Sequence, residues 1–429
     1  MQERFWILLK KNQNNVMKRI FLLALLTIAF ACKRQPEITQ WRGENRSGIY
    51  SETNLLKIWP DDGPVPVWET EIVGNGYSSP IVTDEFVFVT GEIDSLGYLF
   101  KLDQNGEEVW RTSYGHEWTT NFAGSRGAPT LAGNLIYICS GLGDICCINV
   151  ETGDKIWSKN MLTDFDGVSP RFGFSQALVV TGDLVYCQPG GERHNLVALN
   201  RVTGDLAWTS SCKGERPAYN SPLLITWNER TILAAFSAYH LLGLDAQTGK
   251  VLWHHEQTNT KPDEREPGKG DTHANTVLFD DGMIYYSEGD GNCGIKLKLT
   301  DDGTALEQIW KSTDLDNYMG GIVKVSDKLY ASSHRKNQFI AIDCATGVQT
   351  DSLKIGRGST IFADGLLYFY GDKGTVSLIT PAPEGLKTIS SFKLTKGTKE
   401  HFAHPVIHNG LLYLRHGNYL GAYQILKQS

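Results

Sequence analysis

The sequence predicts an all-β protein, an eight-bladed β-propeller built from four-stranded antiparallel blades. A phrase containing a Thr-Gly turn and a tryptophan recurs along the chain, and a pair of short β-rich runs precedes each copy. The two ends of the chain each supply part of the last blade. Repeats of four strands close into a ring because radial closure leaves only short, protected sheet edges.

The recurring phrase places an Asp or Asn eight residues before a Trp, with Thr-Gly between them. It is clearest at 148–157, 199–208 and 242–253, and looser at 101–110, 299–310 and 341–353, where Asp351 replaces the Trp. Asp, Asn and Gly favour tight turns, so we expect the turn to join strands three and four of a unit. The Trp then lies on strand four and packs between blades. The predicted docking tryptophans are Trp68, Trp110, Trp157, Trp208, Trp253 and Trp310; blades six and seven lack one, and we expect that sector to be looser.

Eight pairs of strand-like runs recur along the chain, and each of the first six precedes one of these phrases. Val, Ile, Leu, Tyr and Phe occur in runs of four to six, bounded by Asp-Gly, Gly-Asn or Gly-Asp turns. Four of the first runs begin at a proline, a position where a strand tolerates a missing N–H group. The runs cover residues 77–91, 126–141, 174–191, 219–237, 272–291, 319–333, 356–374 and 403–419.

The chain ends predict how the ring closes. Residues 420–426 read as a third strand with no fourth, whereas residues 64–72 read as a Trp-bearing fourth strand with no unit before it. We expect the N-terminal strand to complete the last blade. Residues 64–429 then form a single propeller domain, preceded by an N-terminal segment at 33–63.

Residues 1–32 have the character of an export signal. From Met17 a basic start leads into an apolar run at 20–31, which is too short to span a bilayer as a helix. The Ala31-Cys32 junction resembles the lipobox of bacterial lipoproteins, in which the Cys becomes the lipidated N-terminus; the alternative is an ordinary signal peptide cleaved nearby. We expect a periplasmic protein tethered by lipid on Cys32 to the outer membrane.

Charge and cysteine usage exclude some classes. The formal net charge of −7 and the lack of a basic stripe argue against a nucleic-acid partner. In an exported chain, Cys139 and Cys146 could form a cross-strand disulfide, or Cys146 and Cys147 a vicinal one. The simpler alternative is that the cysteines are small buried residues. No Cys-x-x-Cys sequence is present, so neither a redox dithiol nor an attached haem is indicated.

The phrases at 149–157, 200–208 and 245–253 resemble the tryptophan-docking motifs of pyrroloquinoline quinone (PQQ) repeat propellers. This group includes quinoprotein alcohol dehydrogenases and the propeller lipoprotein of the outer-membrane β-barrel assembly machinery. Residues 41–52, WRGENRSGIYSE, also resemble the opening segment of PQQ-like repeat proteins of unassigned function. The resemblance covers residues 41 to 426 and implies the fold; the motif itself is shared by enzymes and scaffolds.

Two functions follow from this resemblance. The dehydrogenases hold PQQ on a Trp floor with Ca²⁺ bound by Glu, Asn and Asp, use an Asp as base, and often cap the quinone with adjacent cysteines. Here the Cys146-Cys147 pair lies inside a predicted strand, and the chain lacks the insertions that cover the cofactor. We therefore favour a non-catalytic binding or scaffold module without a cofactor. The alternative is a PQQ- and calcium-dependent dehydrogenase acting on alcohols or sugars.

The face opposite the Thr-Gly turns should carry function. Connections between blades emerge there and are long at 111–127, 158–173 and 254–272 but short at 354–358. Polar strand-end residues could bind an anion, a metal, a small molecule or a protein partner, or could merely be solvated. No pair has metal-site spacing, so we predict no metal. The candidates at the channel mouth are Arg126, Arg171, Glu192, Arg193, His194, His240, His273, Asp290, Asn292, His334, Arg335, His401, His404 and His416.

Overall fold

The computed structural model describes residues 37–381 and 385–427, arranged as eight sheets around one axis. This confirms the predicted all-β, eight-bladed propeller of four-stranded antiparallel blades. The predicted signal and Cys32 lie outside the described residues. Within the described ranges, no helix has the length and apolar character needed to cross a membrane.

Three short strands precede the blades: β1 (Ile38–Thr39), β2 (Ile49–Tyr50) and β3 (Pro66–Thr70). Blades 1 and 2 contain β4 (Ile81–Val82), β5 (Val87–Ile93), β6 (Leu96–Leu102), β7 (Glu108–His116), β8 (Thr130–Ala132), β9 (Leu135–Cys139), β10 (Asp144–Asn149) and β11 (Lys155–Asn160). Blades 3 and 4 contain β12 (Val179–Thr181), β13 (Leu184–Cys187), β14 (Leu196–Asn200), β15 (Leu206–Ser210), β16 (Leu223–Trp227), β17 (Arg230–Phe236), β18 (His240–Asp245) and β19 (Val251–Glu256).

Blades 5 and 6 contain β20 (Leu278–Asp280), β21 (Met283–Ser287), β22 (Gly294–Leu299), β23 (Leu306–Ser312), β24 (Val323–Val325), β25 (Lys328–Ser333), β26 (Gln338–Asp343) and β27 (Gln349–Leu353). Blades 7 and 8 contain β28 (Gly358–Ala363), β29 (Leu366–Gly371), β30 (Thr375–Thr380), β31 (Lys387–Lys393), β32 (Val406–His408), β33 (Leu411–His416) and β34 (Tyr419–Gln424). Short 3₁₀ helices lie at Glu44–Arg46, Pro262–Glu264 and Gly289–Gly291.

The N-terminal strand closes the ring. Strand β3 pairs antiparallel with β34 and is the outer strand of blade 8, in the order β3-β34-β33-β32. Trp68 faces Ala422 in this register and is 8% exposed, whereas its neighbour Val67 is 54% exposed. One strand therefore carries both an inter-blade contact and a solvent-facing side chain, as the period of two requires.

The Thr-Gly turns dock the tryptophans of the preceding blade. Asn200 Oδ1 accepts hydrogen bonds from the N–H groups of Val202 and Thr203, which fixes the turn. Gly204 then adopts a φ of 75°, and a Cβ there would lie 2.8 Å from the Trp157 ring. Trp157 Nε1 donates to the Arg201 carbonyl at 3.0 Å. The same donor arrangement recurs for Trp208 and Trp310, which bond the carbonyls of Ala246 and Cys344.

Three blade junctions depart from this pattern. At blade 5 the ring beside the turn is Trp227, whose Nε1 donates to the Thr300 carbonyl at 2.9 Å. Trp253 lies over Gly243 and is buried in the core shared by blades 4 and 5, but its Nε1 has no hydrogen-bond partner in the described ranges. At blade 7, Asp351 accepts a hydrogen bond from Leu386 N in place of an indole contact. Beside blade 7, the N-terminal segment supplies the indole ring. The Trp59 N–H donates to Ser390 Oγ, and the Trp59 ring packs on Tyr368 and Phe392.

Residues 37–50, here called the strap, fill the axial channel. Strand β1 adds antiparallel to β8 at the inner edge of blade 2, and β2 adds parallel to β28 at the inner edge of blade 7. The strap therefore enters from the turn face, reaches Trp41 and returns toward the same face. Buried Arg42 and Arg46 bond carbonyl oxygens of the channel wall, namely those of Ile322, Thr360, Ala177 and Leu178.

The cysteines of the described ranges are free. Cys139 lies opposite Ile145 and Cys146 lies opposite Ile138, so the first two thiols point to opposite faces of the sheet. Cys146 and Cys147 also alternate between faces along β10. Neither the cross-strand nor the vicinal disulfide is formed, and the thiols fill the core instead.

Replacing Trp68 with Ala should lower the free energy of unfolding by about 3 kcal/mol, because it leaves a cavity at the junction that closes the ring. The adjacent change Val67→Ala should cost less than about 0.5 kcal/mol, since Val67 faces solvent. Urea denaturation followed by circular dichroism measures both. Equal midpoints for the two variants would contradict the inter-blade role of the indole.

Candidate functional site

A cavity of about 400 Å³ opens at the axis on the long-connection face, the face opposite the Thr-Gly turns. Its walls come from the connections between blades and from turns between second and third strands, and the strap closes its lower end. We call this cavity the cup. Seven aromatic side chains line it: Trp41, Tyr77, Phe122, Phe172, Tyr219, Tyr318 and Phe402.

One repeated sequence position supplies much of the lining. Each unit carries a ring or a guanidinium three residues before the proline of its first run, or before the residue that takes the place of that proline. These residues are Tyr77, Arg126, Phe174, Tyr219, His273, Tyr318, Arg357 and Phe402. Phe174 and His273 are buried, and the other six line the cup. This position is readable in the sequence, but an alignment centred on the tryptophans passes over it.

The rings form a continuous aromatic arc along one wall. Their centroids are 5.5 Å apart for Tyr77 and Phe402, and 6.0 Å for Phe402 and Phe122. The series continues at 6.5 Å from Phe122 to Phe172 and 5.6 Å from Phe172 to Tyr219. Such tilted and edge contacts hold the rings in place, and all five rings line the cup.

The opposite wall is polar. Arg357 Nη2 lies 3.2 Å from Asp372 Oδ2, and its Nη1 donates to His334 Nδ1 at 3.0 Å. The His334 ring packs on Tyr318 at 4.9 Å. Desolvation, together with the charge of Arg357, lowers the pKa of His334, which suits a neutral ring that accepts this hydrogen bond. Arg357 Nε has no hydrogen-bond partner among the described residues.

The strap builds the floor. Arg42 Nη1 donates to His404 Nδ1 at 3.0 Å, and the His404 ring packs edge-on against Trp41 with centroids 5.0 Å apart. Desolvation and the nearby guanidinium hold the pKa of His404 well below its ordinary value. The floor is therefore a neutral imidazole and an indole, positioned from below by a buried cation.

Of the residues predicted from sequence, Arg126, His334, His401 and His404 line the cup. Arg126 Nη2 donates to the carbonyls of Phe122 and Asn121, so it braces the connection that carries Phe122. Its Nε is buried without a hydrogen-bond partner in the described ranges.

The other predicted residues are not brought together in the cup. Several form separate pairs: Arg193 with Asp166, His240 with Glu215, Arg335 with Asp316, and Arg171 over the ring of Phe172. Glu192 is exposed, and His194 contacts Thr209. Asp290 and Asn292 bond backbone groups of Gly270 and Gly289, His273 is buried against Phe236, and His416 contacts the carbonyls of Lys396 and Lys399.

A buried glutamate supports the aromatic arc. Glu117 begins the connection that carries Phe122 and Arg126, and it accepts hydrogen bonds from Tyr114 Oη at 2.5 Å and Gly141 N at 2.7 Å. Desolvation raises the pKa of Glu117 to about 7 despite these bonds. The sequence did not single out this residue, because its burial depends on Gly141 and the neighbouring blade, although Tyr114 lies only three residues before it.

The residues present do not fit a PQQ–calcium site. Within the described ranges no group of three or more His, Cys, Asp or Glu side chains could hold a metal ion. The carboxylate that lines the cup, Asp372, is already paired with Arg357. Calcium requires six to eight oxygen ligands. Cys146 and Cys147 are buried inside β10, away from the cup.

The fold and the docked turns define a propeller of the PQQ-like repeat class. A family model described as outer membrane protein assembly factor BamB matches residues 95–350, and the chain belongs to this family. BamB of Salmonella typhimurium is 32% identical over 112 residues, covering 25% of this chain and 26% of the relative. BamB of Burkholderia pseudomallei is 27% identical over 206 residues, covering 47% and 48%. The chain thus spans about half or less of these relatives.

Solved structures share the fold. BamB from Moraxella catarrhalis superposes with a TM-score of 0.61 at 12% identity, covering 84% of this chain and 100% of that chain. A quinohemoprotein alcohol dehydrogenase from Pseudomonas putida HK5 gives 0.60 at 12% identity, covering 90% and 79%. A BamB and an alcohol dehydrogenase match equally well, so this likeness concerns architecture and not activity.

The substitution Glu117→Gln should remove a pH dependence of stability. The folded carboxyl keeps its proton up to about pH 7, whereas the unfolded one loses it near 4.5. Wild-type stability should therefore fall by about 3 kcal/mol as the pH rises through this window, because a charged carboxylate must then be buried. Urea midpoints between pH 4 and 8 measure the slope, with the exposed change Glu151→Gln as control. An unchanged slope in Glu117→Gln would contradict the assignment.

Proposed function

We propose that this protein is an exported, lipid-anchored scaffold without catalytic activity, which binds a protein partner during the assembly of outer-membrane proteins. Membership of a family described as an outer membrane protein assembly factor supports the process. The relatives from Salmonella typhimurium and Burkholderia pseudomallei are outer membrane protein assembly factors as well. The absence of a suitable quinone and calcium ligand set in the cup supports a binding role over an enzymatic one.

The unequal construction of the two faces carries the proposal. Thr-Gly turns are short and alike, whereas the connections at 117–129 and 257–277 rise around the cup. The longer one is held rigidly, because the buried Arg216–Asp271 pair also bonds Tyr239 Oη through Arg216 Nη2. Irregular loops fixed on a rigid ring are a common place for partner binding.

The path of the strap supports an orientation. The Glu37 carbonyl accepts a hydrogen bond from Gly133 N at 3.1 Å, and Gly133 lies in a turn on the Thr-Gly face. Four residues lie between Cys32 and Glu37, and the five steps along the chain can reach at most about 18 Å. A lipid on Cys32 would keep the turn face near the membrane and direct the cup and long connections away from it.

A face-specific crosslinking experiment tests the scaffold role. A photoreactive amino acid replaces either Arg193, 74% exposed among the long connections, or Val202, 49% exposed on the turn face. In cells that make the protein, we expect partner crosslinks from position 193 and not from 202. Deleting the gene should lower outer-membrane β-barrel protein levels, and restoring the wild-type chain should recover them.

Two results would contradict this proposal. One is a set of crosslinks that arises equally from both faces. The other is an unchanged outer-membrane protein profile after deletion of the gene. The change Cys32→Ser tests the anchor separately, since we expect it to release the protein from membranes into the soluble fraction.

The dehydrogenase alternative has its own test. Incubating the purified protein with PQQ and Ca²⁺ should give no shift of the quinone absorbance and no increase in melting temperature, because the cup lacks the required carboxylates. Alcohol-dependent dye reduction should also be absent. A saturable spectral shift together with dye reduction would favour the enzyme.

A further inference from the structure

The cup has two chemically different walls, which restricts what it can bind. The aromatic arc belongs to the connections that lead into blades 8 and 1 to 4. Its rings contact one another in the order Tyr77, Phe402, Phe122, Phe172 and Tyr219. The facing wall belongs to blades 6 and 7 and carries His334, Arg357 and Asp372. A ligand that fills both halves needs one apolar surface and one edge rich in hydrogen-bonding groups.

Charge further narrows the ligand class. Among the residues lining the cup, the Asp and Arg side chains are Asp372, Arg357 and Arg126, and the first two form a pair. Arg126 already donates through Nη2 to two backbone carbonyls. The wall formed by Arg357 and Asp372 therefore offers donors and an acceptor side by side with no net charge, while Arg126 adds one positive charge elsewhere in the cup. A ligand that carries hydroxyl groups matches the balanced wall.

Unused hydrogen-bonding capacity lies on the residues that line the cup. Arg357 Nε, Arg126 Nε and Tyr219 Oη are buried without partners in the described ranges. Buried polar atoms in this state are costly, and a bound hydroxyl group or water could satisfy them after a small rotation of the side chains. These atoms occur at both walls, so the ligand would have hydroxyl groups on more than one edge.

We propose that the cup binds a short neutral glycan. One pyranose ring stacks its C–H face on the aromatic arc, where the negative faces of the rings attract weakly positive hydrogens. Its hydroxyl groups bond Arg357 and Asp372, and Trp41 closes the site from below. The cavity of about 400 Å³ lies within the range of small-molecule sites.

An aromatic peptide side chain is the competing ligand. It would use the arc but would leave Arg357 and Asp372 without new partners, so it explains only half of the cup. A glycan uses both walls. The two ligands therefore differ in how they should respond to changes in the polar wall.

Titration of the purified chain tests the glycan site. The probes are maltose, cellobiose, lactose and diacetylchitobiose up to about 10 mM. Binding is followed by calorimetry and by the total tryptophan fluorescence, and this range detects Kd values near 1 mM. We expect at least one saccharide to saturate. Phe122→Ala and Asp372→Asn should each weaken it at least tenfold, whereas Val202→Ala, an exposed change on the turn face, should leave it unchanged.

The proposal would be overturned if no saccharide saturated the protein. It would also be overturned if binding survived both cup variants. An aromatic tripeptide could compete with the saccharide instead. If its binding were lost in Phe122→Ala but kept in Asp372→Asn, the cup would be a peptide site. The glycan site and the scaffold role can be tested separately. Crosslinking from position 193 in cells that carry Phe122→Ala reports whether the partner still binds when the cup is altered. Correct folding of each variant is checked by its urea midpoint.

Discussion

The centre of the propeller depends on two buried arginines that bond backbone carbonyls. Arg42 reaches Ile322 and Thr360, and Arg46 reaches Ala177 and Leu178, so one short segment joins inner strands from distant parts of the ring. A buried cation is stable only when its donors are satisfied, and here carbonyl oxygens do this instead of carboxylates. Without the strap these carbonyls would lose their partners, the channel would have no plug, and the cup would have no floor.

The two faces of the propeller separate stability from function. On the turn face, indole rings and Thr-Gly turns repeat the same contact and hold neighbouring blades together. On the long-connection face, the corresponding positions vary in length and chemistry while the first strands beneath them stay fixed. Binding residues can therefore change without disturbing the ring, which is why this fold supports both scaffolds and enzymes. The character of the cup, not the propeller itself, distinguishes these roles in this chain.

The sequence predicts what local spacing determines. The eight-residue interval before each Trp locates the turns and outer strands, and the unmatched ends predict ring closure by β3. It does not predict that Trp227, and not the buried Trp253, makes the indole hydrogen bond to the blade 5 turn, because this depends on how the two blades meet in the folded ring. The strap is also unreadable, since Arg42 and Ile322 are 280 residues apart. The aromatic lining was readable from its fixed position three residues before the first-run proline or its equivalent. The predicted polar list, however, mixed cup residues such as His334 with residues such as His240, which pairs with Glu215 away from the cup.

Amide hydrogen exchange of residues 37–50 in the intact protein tests the central claim most directly. If the strap is bound inside the channel, its amides should be protected about as long as those of inner strands β8 and β28, with which it pairs. Complete exchange of this segment within seconds, while the blades remain protected, would show that the strap does not hold the centre of the ring.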